Sequence, residues 1–149
     1  CLAELGNTVI CMDDDTRKIE ALKTGNLPFY EPGLEELVSR NVDHERLSFT
    51  SIVAEGVKRA DMVFICVGTP QRPDGSADLS FVELATKRVA EAMDGYKVIV
   101  DKSTVPVKTG AWVKRTIKMT CRENHDFDLI SSHNGNKIYL CNLKSLYKH

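Results

Sequence analysis

No run of apolar residues in this 149-residue chain is long enough to cross a bilayer, and none has the basic, apolar, small-residue order of a signal peptide. The sequence therefore reads as cytoplasmic. Charge of one sign is also missing. The 20 basic and 21 acidic residues are spread along the length for a net charge of -1, which leaves no electrostatic footprint for nucleic acid or an anionic membrane. Paired cysteines are absent too. Cys1, Cys11, Cys66, Cys121 and Cys141 are odd in number, widely spaced and free of any C-x-x-C pair. Cys11 and Cys66 fall inside apolar strand runs, where a buried inert thiol is expected rather than a nucleophile. His44, His125, His133 and His149 show no ligand spacing with one another or with a cysteine, so no metal is implied. The glycine-rich turn G-x-G-x-x-G occurs nowhere.

What is present is one ordinary domain's worth of chain, 42% hydrophobic and 28% charged. Its most informative feature is a repetition. Val63 to Pro70 reads Val-Phe-Ile-Cys-Val-Gly-Thr-Pro and Val98 to Pro106 reads Val-Ile-Val-Asp-Lys-Ser-Thr-Val-Pro, two apolar runs each stopped by a hydroxyl residue and a proline. A continuous apolar run has no polar face, so it suits a strand covered on both sides, as in a parallel sheet. The small residues after each run then sit at the carboxyl end of a strand, where open α/β sheets bind ligands. Function is to be sought at Gly68-Thr69 and Ser103-Thr104.

The remaining pattern alternates. Residues 1–6 read as the end of a helix stopped by Gly6. Thr8 to Met12 is a strand, Thr16 to Thr24 a helix stopped by Gly25, and Pro32-Gly-Leu-Glu-Glu-Leu-Val starts a second helix with Pro32 in its first turn. Leu47 to Thr50 is a short strand, a brief helix follows Ile52, and Met62 to Val67 is the next strand. Gln71 to Asp78 is a turn-rich loop, Ser80 to Met93 an amphipathic helix with Val82, Ala85, Val89 and Ala92 inward, and Lys97 to Asp101 a strand. A helix over about Gly110 to Arg122 and an apolar run from Phe127 to Ile130 complete it. After Ser131 the sequence has no periodicity of a helix or a buried strand. Strands alternating with helices call for an α/β fold with a doubly wound parallel sheet.

In such a fold an acidic side chain at the end of an early strand accepts hydrogen bonds from the adenosine ribose and repels the extra phosphate of NADP. Asp13 fits that position, with Asp14 or Asp15 left to cap the following helix. Capping alone also accounts for the whole cluster. Lys18, one turn further on, is placed to reach a ribose or phosphate oxygen, or is a solvated helix residue. Thr69 and Thr104 offer hydroxyls at strand ends, for a cofactor or simply for turn chemistry beside proline. A phosphoacceptor receiver domain would also place acidic residues after an early strand and Asp101-Lys102 after a later one. The order is wrong for it, since Thr69 precedes Asp101 and Lys102 abuts it.

The succession Glu-Leu-Gly-Asn-Thr-Val-Ile-Cys-Met-Asp13, Tyr30-Glu-Pro-Gly-Leu-Glu-Glu-Leu, Val67-Gly-Thr-Pro, Asp74-Gly-Ser-Ala-Asp-Leu-Ser, Gly95-Tyr-Lys-Val and Lys102-Ser-Thr-Val-Pro-Val resembles the NAD-binding domain of the UDP-glucose 6-dehydrogenases, within the UDP-glucose/GDP-mannose dehydrogenase family. The resemblance covers about residues 1–131. It implies NAD as cofactor, a nucleotide-sugar substrate in the intact enzyme, a homo-oligomeric parent, and oxidation of a sugar hydroxymethyl to a carboxylate in two hydride transfers through a cysteine thioester. It implies that Asp13 and Lys18 hold the adenosine ribose, that Thr69 lies near the cofactor diphosphate and ribose, and that Thr104 lies beside the nicotinamide and orients the hydrolytic water. Tyr30 to Leu34 would belong to a loop near the active site. Dehydrogenases of GDP-mannose or N-acetylated UDP-hexosamines share this cofactor half, and a non-catalytic degenerate product is the remaining alternative.

Against the family pattern, the first strand and its glycine turn should precede Cys1. Residues 132–149 depart from the family, and none of the five cysteines has its Gly-rich, Pro-Lys-Asp nucleophile context. The expectation is a partial Rossmann-type sheet lacking its first strand over residues 1–131, with an aberrant tail over 132–149. In the strand order 3-2-1-4-5-6 the first strand is central, so the strands beginning at Thr8 and Met62 would lose their shared partner. The chain alone is expected to be inactive and to bind NAD weakly or not at all.

Overall fold

A computed structural model of the protein describes residues 1–103, 109–123, 125–131 and 140–142. The helices and strands expected from periodicity are found in order, β1 (Thr8–Met12), α1 (Thr16–Lys23), α2 (Leu34–Asp43), β2 (Leu47–Thr50), α3 (Val53–Arg59), β3 (Met62–Ile65), α4 (Ser80–Ala92), β4 (Lys97–Asp101), α5 (Thr109–Thr120) and β5 (Phe127–Ser131), followed by an unexpected strand, β6 (Leu140–Asn142). Residues 1–6 close as a helix end does, with the Leu5 N–H on the Cys1 carbonyl at 3.2 Å, the Gly6 and Asn7 N–H groups on the Ala3 and Leu2 carbonyls at 3.0 and 3.3 Å, and Gly6 left-handed at φ 91°. The boundaries differ in places. Gly33, at φ 78°, is the left-handed cap before α2, so Pro32 lies ahead of the helix instead of in its first turn. An L side chain at position 33 would crowd its own backbone there.

The sheet runs β2-β1-β6-β3-β4-β5. β1 pairs parallel with β2, and β3, β4 and β5 pair parallel in one register that sets Ile65, Asp101 and Ser131 side by side at their carboxyl ends. Strand alternation divides the side chains between two faces. On one, Ile10, Val63, Ile65 and Ile99 meet Val57 of α3, Val82 and Val89 of α4, and Val113 and Ile117 of α5 in a single buried cluster. On the other, Val9 and Ile19 of α1 are equally buried but outside that cluster. Right-handed crossovers require this, because the chain moves outward from β1 to β2 and the opposite way from β3 to β4. The expected doubly wound α/β arrangement is therefore present.

The tail corrects an expectation. Leu140–Asn142 is a strand, antiparallel, at the centre of the sheet: Thr8 to Ile10 pair with Asn142 to Leu140, and Met62 pairs with Cys141. β1 and β3 thus do not stand apart. Three residues are too few to show periodicity, and what places them is the demand of two inner strand edges for hydrogen-bond partners. Residues 132–139 and 143–149 lie outside the described residues.

At the amino-terminal side the side chain of Asn41, wholly buried on α2, donates to Glu4 Oε2 at 2.7 Å and to the Leu37 carbonyl at 2.7 Å, while its Oδ1 accepts from Arg46 Nε at 3.1 Å. Arg40 meets Glu4 at 2.8 Å. The Asn41 hydrogen bond, then the Arg40 charge, holds the Glu4 carboxyl below its ordinary range. Lys97 is similarly anchored, 6% exposed, its ammonium on the Lys58 carbonyl at the end of α3 and on Asp94, each at 3.3 Å.

Replacing Asn41 by Ala strands three partners and is expected to cost about 1–3 kcal/mol, read as a lowered urea midpoint. Truncation after Ser131 removes β6. Because the Val9 N–H is turned to the β2 side, onto the Arg46 carbonyl, the Thr8 and Ile10 N–H groups face β6; their amide exchange is expected to accelerate on truncation while that of Val9 is retained.

Candidate functional site

The carboxyl ends of β1, β3 and β4 lie along one edge of the sheet. At the end of β1 three consecutive carboxylates take three separate partners. Asp15 is the N-cap of α1, its Oδ1 accepting the Arg17 backbone N–H at 3.0 Å and the Arg17 Nε–H at 3.3 Å, and the side-chain bond first, with the backbone bond behind it, holds its carboxyl below the ordinary range. Asp14 pairs with Arg88 of α4, tying the β1–α1 turn to the helix that follows β3. Asp13 accepts the Asp15 N–H at 2.9 Å through Oδ1, and its Oδ2 stands 3.4 Å from Lys18 Nζ. The capping reading is thus true of Asp15 and not of Asp14. The two residues singled out as ribose ligands are together, with side chains 43% and 54% exposed. So exposed a pair contributes little to stability, so a ligand hydroxyl can take over the carboxylate at small cost.

Thr69 lies beyond the end of β3, half-buried, and Gly68 beside it is exposed. A Cβ built on Gly68 meets no protein atom within 4 Å, and its φ is not left-handed. Neither packing nor backbone conformation requires glycine there, and the position leaves open room at the strand end. The following loop is tightly held: Gln71 bridges Ala77, Asp78 N–H donates to the Pro70 carbonyl at 2.8 Å, and Arg72 meets Asp78 at 3.1 Å. The Asp78 carboxylate also accepts the Ser80 N–H at 3.0 Å, which heads α4 and holds that carboxyl low.

The end of β4 behaves differently from expectation. Ser103 is buried; its Oγ donates inward to the Ile65 carbonyl at 3.4 Å, and the same carbonyl accepts the Lys102 N–H at 2.8 Å. The Ser103 hydroxyl thus stitches β4 to β3. Thr104 lies outside the described residues. Asp101, which sequence reasoning used only against the receiver reading, is wholly buried; Oδ1 accepts the Ser103 N–H at 3.1 Å and Oδ2 has no hydrogen-bond partner among the described residues. Burial pushes its carboxyl up, opposed by the Ser103 bonds. A polar residue closing an apolar strand was the signal available for it. Arg88 had none, lying 74 positions from Asp14.

Cys11 is half-buried, and the desolvation of its thiol pushes it up to about 11. Cys66 lies just beyond β3 rather than within it, half-buried, as is Cys121. Among the described residues no cluster of His, Cys, Asp or Glu has a metal-binding arrangement, and no helix is long and apolar enough to cross a membrane. The Tyr30 loop lines an open cavity of about 1110 Å³ between residues 25 and 44, sharing no lining residue with Asp13, Lys18 or Thr69.

A family model for the NAD binding domain of the UDP-glucose/GDP-mannose dehydrogenase family matches residues 1–135. The chain belongs to that family. NAD is the cofactor of the domain it matches. It is 46% identical over 132 residues to the UDP-glucose 6-dehydrogenase TuaD of Bacillus subtilis, a match covering 89% of this chain and 29% of TuaD. It is 50% identical over 121 residues to the UDP-glucose 6-dehydrogenase of Rhizobium meliloti, covering 80% and 28%. The chain therefore spans less than a third of the length of these curated relatives. Among solved structures it resembles a UDP-glucose dehydrogenase from Pyrobaculum islandicum (TM-score 0.83, 35% identity, 98% of this chain and 34% of that one). It also resembles a GDP-mannose dehydrogenase from Pseudomonas aeruginosa (TM-score 0.81, 31% identity, 88% and 31%).

The Asp101 carboxyl fixes a sign. A folded-state pKa above the unfolded one means the native chain holds the extra proton, so this contribution to stability is full below the unfolded value and is lost as pH rises through the folded value. Relative to Asp101→Asn, the wild type is expected to lose stability as pH rises above the ordinary aspartate range, measured as urea midpoints at a series of acidic to neutral pH values.

Proposed function

We propose that this chain is the cofactor-side part of an NAD-dependent nucleotide-sugar dehydrogenase whose whole reaction oxidises UDP-glucose to UDP-glucuronate with two NAD. Residues 1–131 are the NAD-binding part in this reading, and residues 132–149 a segment that departs from the family in sequence. The observation that carries it is the exposed Asp13–Lys18 pair at the carboxyl end of β1, where a dinucleotide fold presents an acidic residue to the adenosine ribose. The residues present fit that end of the cofactor: Asp13 accepts from the ribose hydroxyls, Lys18 donates to a ribose or phosphate oxygen, and Thr69 with the room beside Gly68 takes the next portion. Asp13 also disfavours a ribose phosphate by charge. Thr104 is assigned to the nicotinamide end and to orienting the hydrolytic water. NAD, when bound, supplies the hydride acceptor.

The same arrangement supports weak binding by this chain alone. A helix N-terminus following a central parallel strand is what normally cradles the pyrophosphate. Here the central strand is antiparallel, and its last residue, Asn142, lies beside Thr8 at the amino edge, away from the cofactor. None of the five cysteines has the sequence context of the family's nucleophile, so the chain by itself is read as inactive. UDP-glucose is favoured as the sugar nucleotide by the 46% and 50% identities to UDP-glucose 6-dehydrogenases. A dehydrogenase for GDP-mannose or N-acetylmannosamine is the second reading, supported by fold neighbours at 31% and 29% identity.

Titration of the isotopically labelled chain with millimolar NAD is expected to shift the amide signals of Asp13, Lys18 and Thr69, with an affinity weaker than low micromolar. Gly68→Ala is expected to leave stability unchanged or raised by about 0.4–1 kcal/mol while weakening those shifts. Low-micromolar calorimetric affinity would overturn the weak-binding reading; shifts that avoid these residues would overturn the site.

A further inference from the structure

Between β1 and β3, which run in the same direction, lies one strand seat, held by β6. Along a strand the N–H and C=O of one residue point to one side and those of the next residue to the other. The Val9 and Asp13 N–H groups go to the β2 side, and the Asp61 and Ile65 carbonyls accept from Val98 and Lys102 on the β4 side. The backbone groups of Thr8, Ile10 and Met12 on β1, and of Met62 and Phe64 on β3, therefore face the seat. β6 serves only its amino half. It stands beside Thr8 to Ile10 on one flank and beside Met62 alone on the other, and no described strand residue lies opposite Met12 or Phe64 there. The seat is five residues deep along β1 and four along β3, so a longer strand makes more ladder bonds in it than β6 does.

The surroundings define what fits. Ile10, Val63 and Ile65 are buried in the common cluster on one face of the sheet, and Val9 and Ile19 are buried on the other, so an occupant must be apolar on both faces. The seat is also where the build of the sheet reverses, outward to β2 on one side and to β4 on the other, with Asp13 and Thr69 just past the strand ends that flank it. A strand parallel to its neighbours ends in that crevice, where the backbone N–H groups of a following turn favour an anion. β6 runs the other way.

We propose that the β6 seat is a strand-addition site: it takes from another polypeptide an extended, β-branched apolar segment as long as β1, parallel to β1 and β3, which displaces β6 and brings its following turn to the crevice between Asp13 and Thr69. The seat stands on the sheet alone, whereas its link with NAD rests on the cofactor reading above. Strand and NAD then favour one another, each tightening the other by the same factor.

The test uses the full chain, isotopically labelled, and an unlabelled synthetic peptide. The peptide carries lysines for solubility, a run of alternating valine and isoleucine as long as β1, then Gly-Ser-Gly with a nitroxide at its carboxyl end. The control has proline at the centre of the run, where it cannot donate to a ladder. Without NAD, the peptide is expected to make the Leu140 to Asn142 amides exchange about tenfold faster and the Phe64 amide slower, while Thr8 and Ile10 stay protected. The nitroxide is expected to broaden Asp13 and Gly68 rather than Thr8 and Met62. NAD is then expected to bind about tenfold more tightly, and the proline peptide to do none of this. Cys141→Pro weakens β6 without shortening the chain and is expected to raise the affinity for the peptide.

Unchanged exchange at Leu140 to Asn142 would overturn the proposal, as would broadening confined to the outer edges of β2 or β5, the mark of addition at a sheet edge. Broadening at Thr8 and Met62 would overturn the parallel direction, and unchanged affinity in Cys141→Pro would overturn competition with β6. If the peptide displaces β6 and NAD still leaves the Asp13 and Thr69 signals unmoved, the strand site holds and the cofactor reading fails.

Discussion

Backbone N–H and C=O groups in the middle of a covered sheet have no water to turn to, so every inner strand edge must find another strand. The rest of this structure follows from that constraint. β3, β4 and β5 satisfy one another in a single parallel register, β1 and β2 do the same, and the two blocks are joined through three residues near the end of the sequence. The junction is antiparallel and short. It links the blocks through Thr8 to Ile10 on one side and Met62 on the other.

Because the junction is narrow, other contacts share the task of fixing the blocks. α3 crosses from β2 to β3 and buries Val57 in the common cluster with Ile10, Val63 and Val82. At the carboxyl edge the Asp14–Arg88 pair joins the β1 turn to α4. The core and this pair therefore hold Asp13 and Thr69 on one edge of the sheet, although they belong to different blocks. Charge at that edge is distributed rather than piled up: each of the three aspartates has its own cationic neighbour, Lys18 for Asp13, Arg88 for Asp14 and Arg17 for Asp15.

The two strand ends that look alike in sequence differ in use. After β3 the chain offers exposed Gly68 with open space around it and half-buried Thr69. After β4 it turns inward, with Ser103 and Asp101 both buried and bonded to neighbouring backbone. A hydroxyl at a strand end is equally suited to a ligand or to a carbonyl next door, and the choice depends on whether a neighbouring strand presents that carbonyl. Ile65 does so for Ser103.

Local physics wrote the elements plainly. Apolar runs without a polar face gave β3 and β4, apolar residues at helical spacing gave α4 and α5, and Asp15 before Thr16 capped α1 because a short carboxylate reaches free N–H groups there. The quoted motifs also carried the family, and they placed Asp13 beside Lys18. Tertiary structure alone decided the strand at Leu140–Asn142, the inward turn of Ser103, the buried carboxyl of Asp101 and the Asp14–Arg88 pair. Each depends on groups brought together from distant parts of the chain. Periodicity reports which face of an element is buried, whereas the partner of a particular oxygen or strand edge is set by where the other elements come to rest.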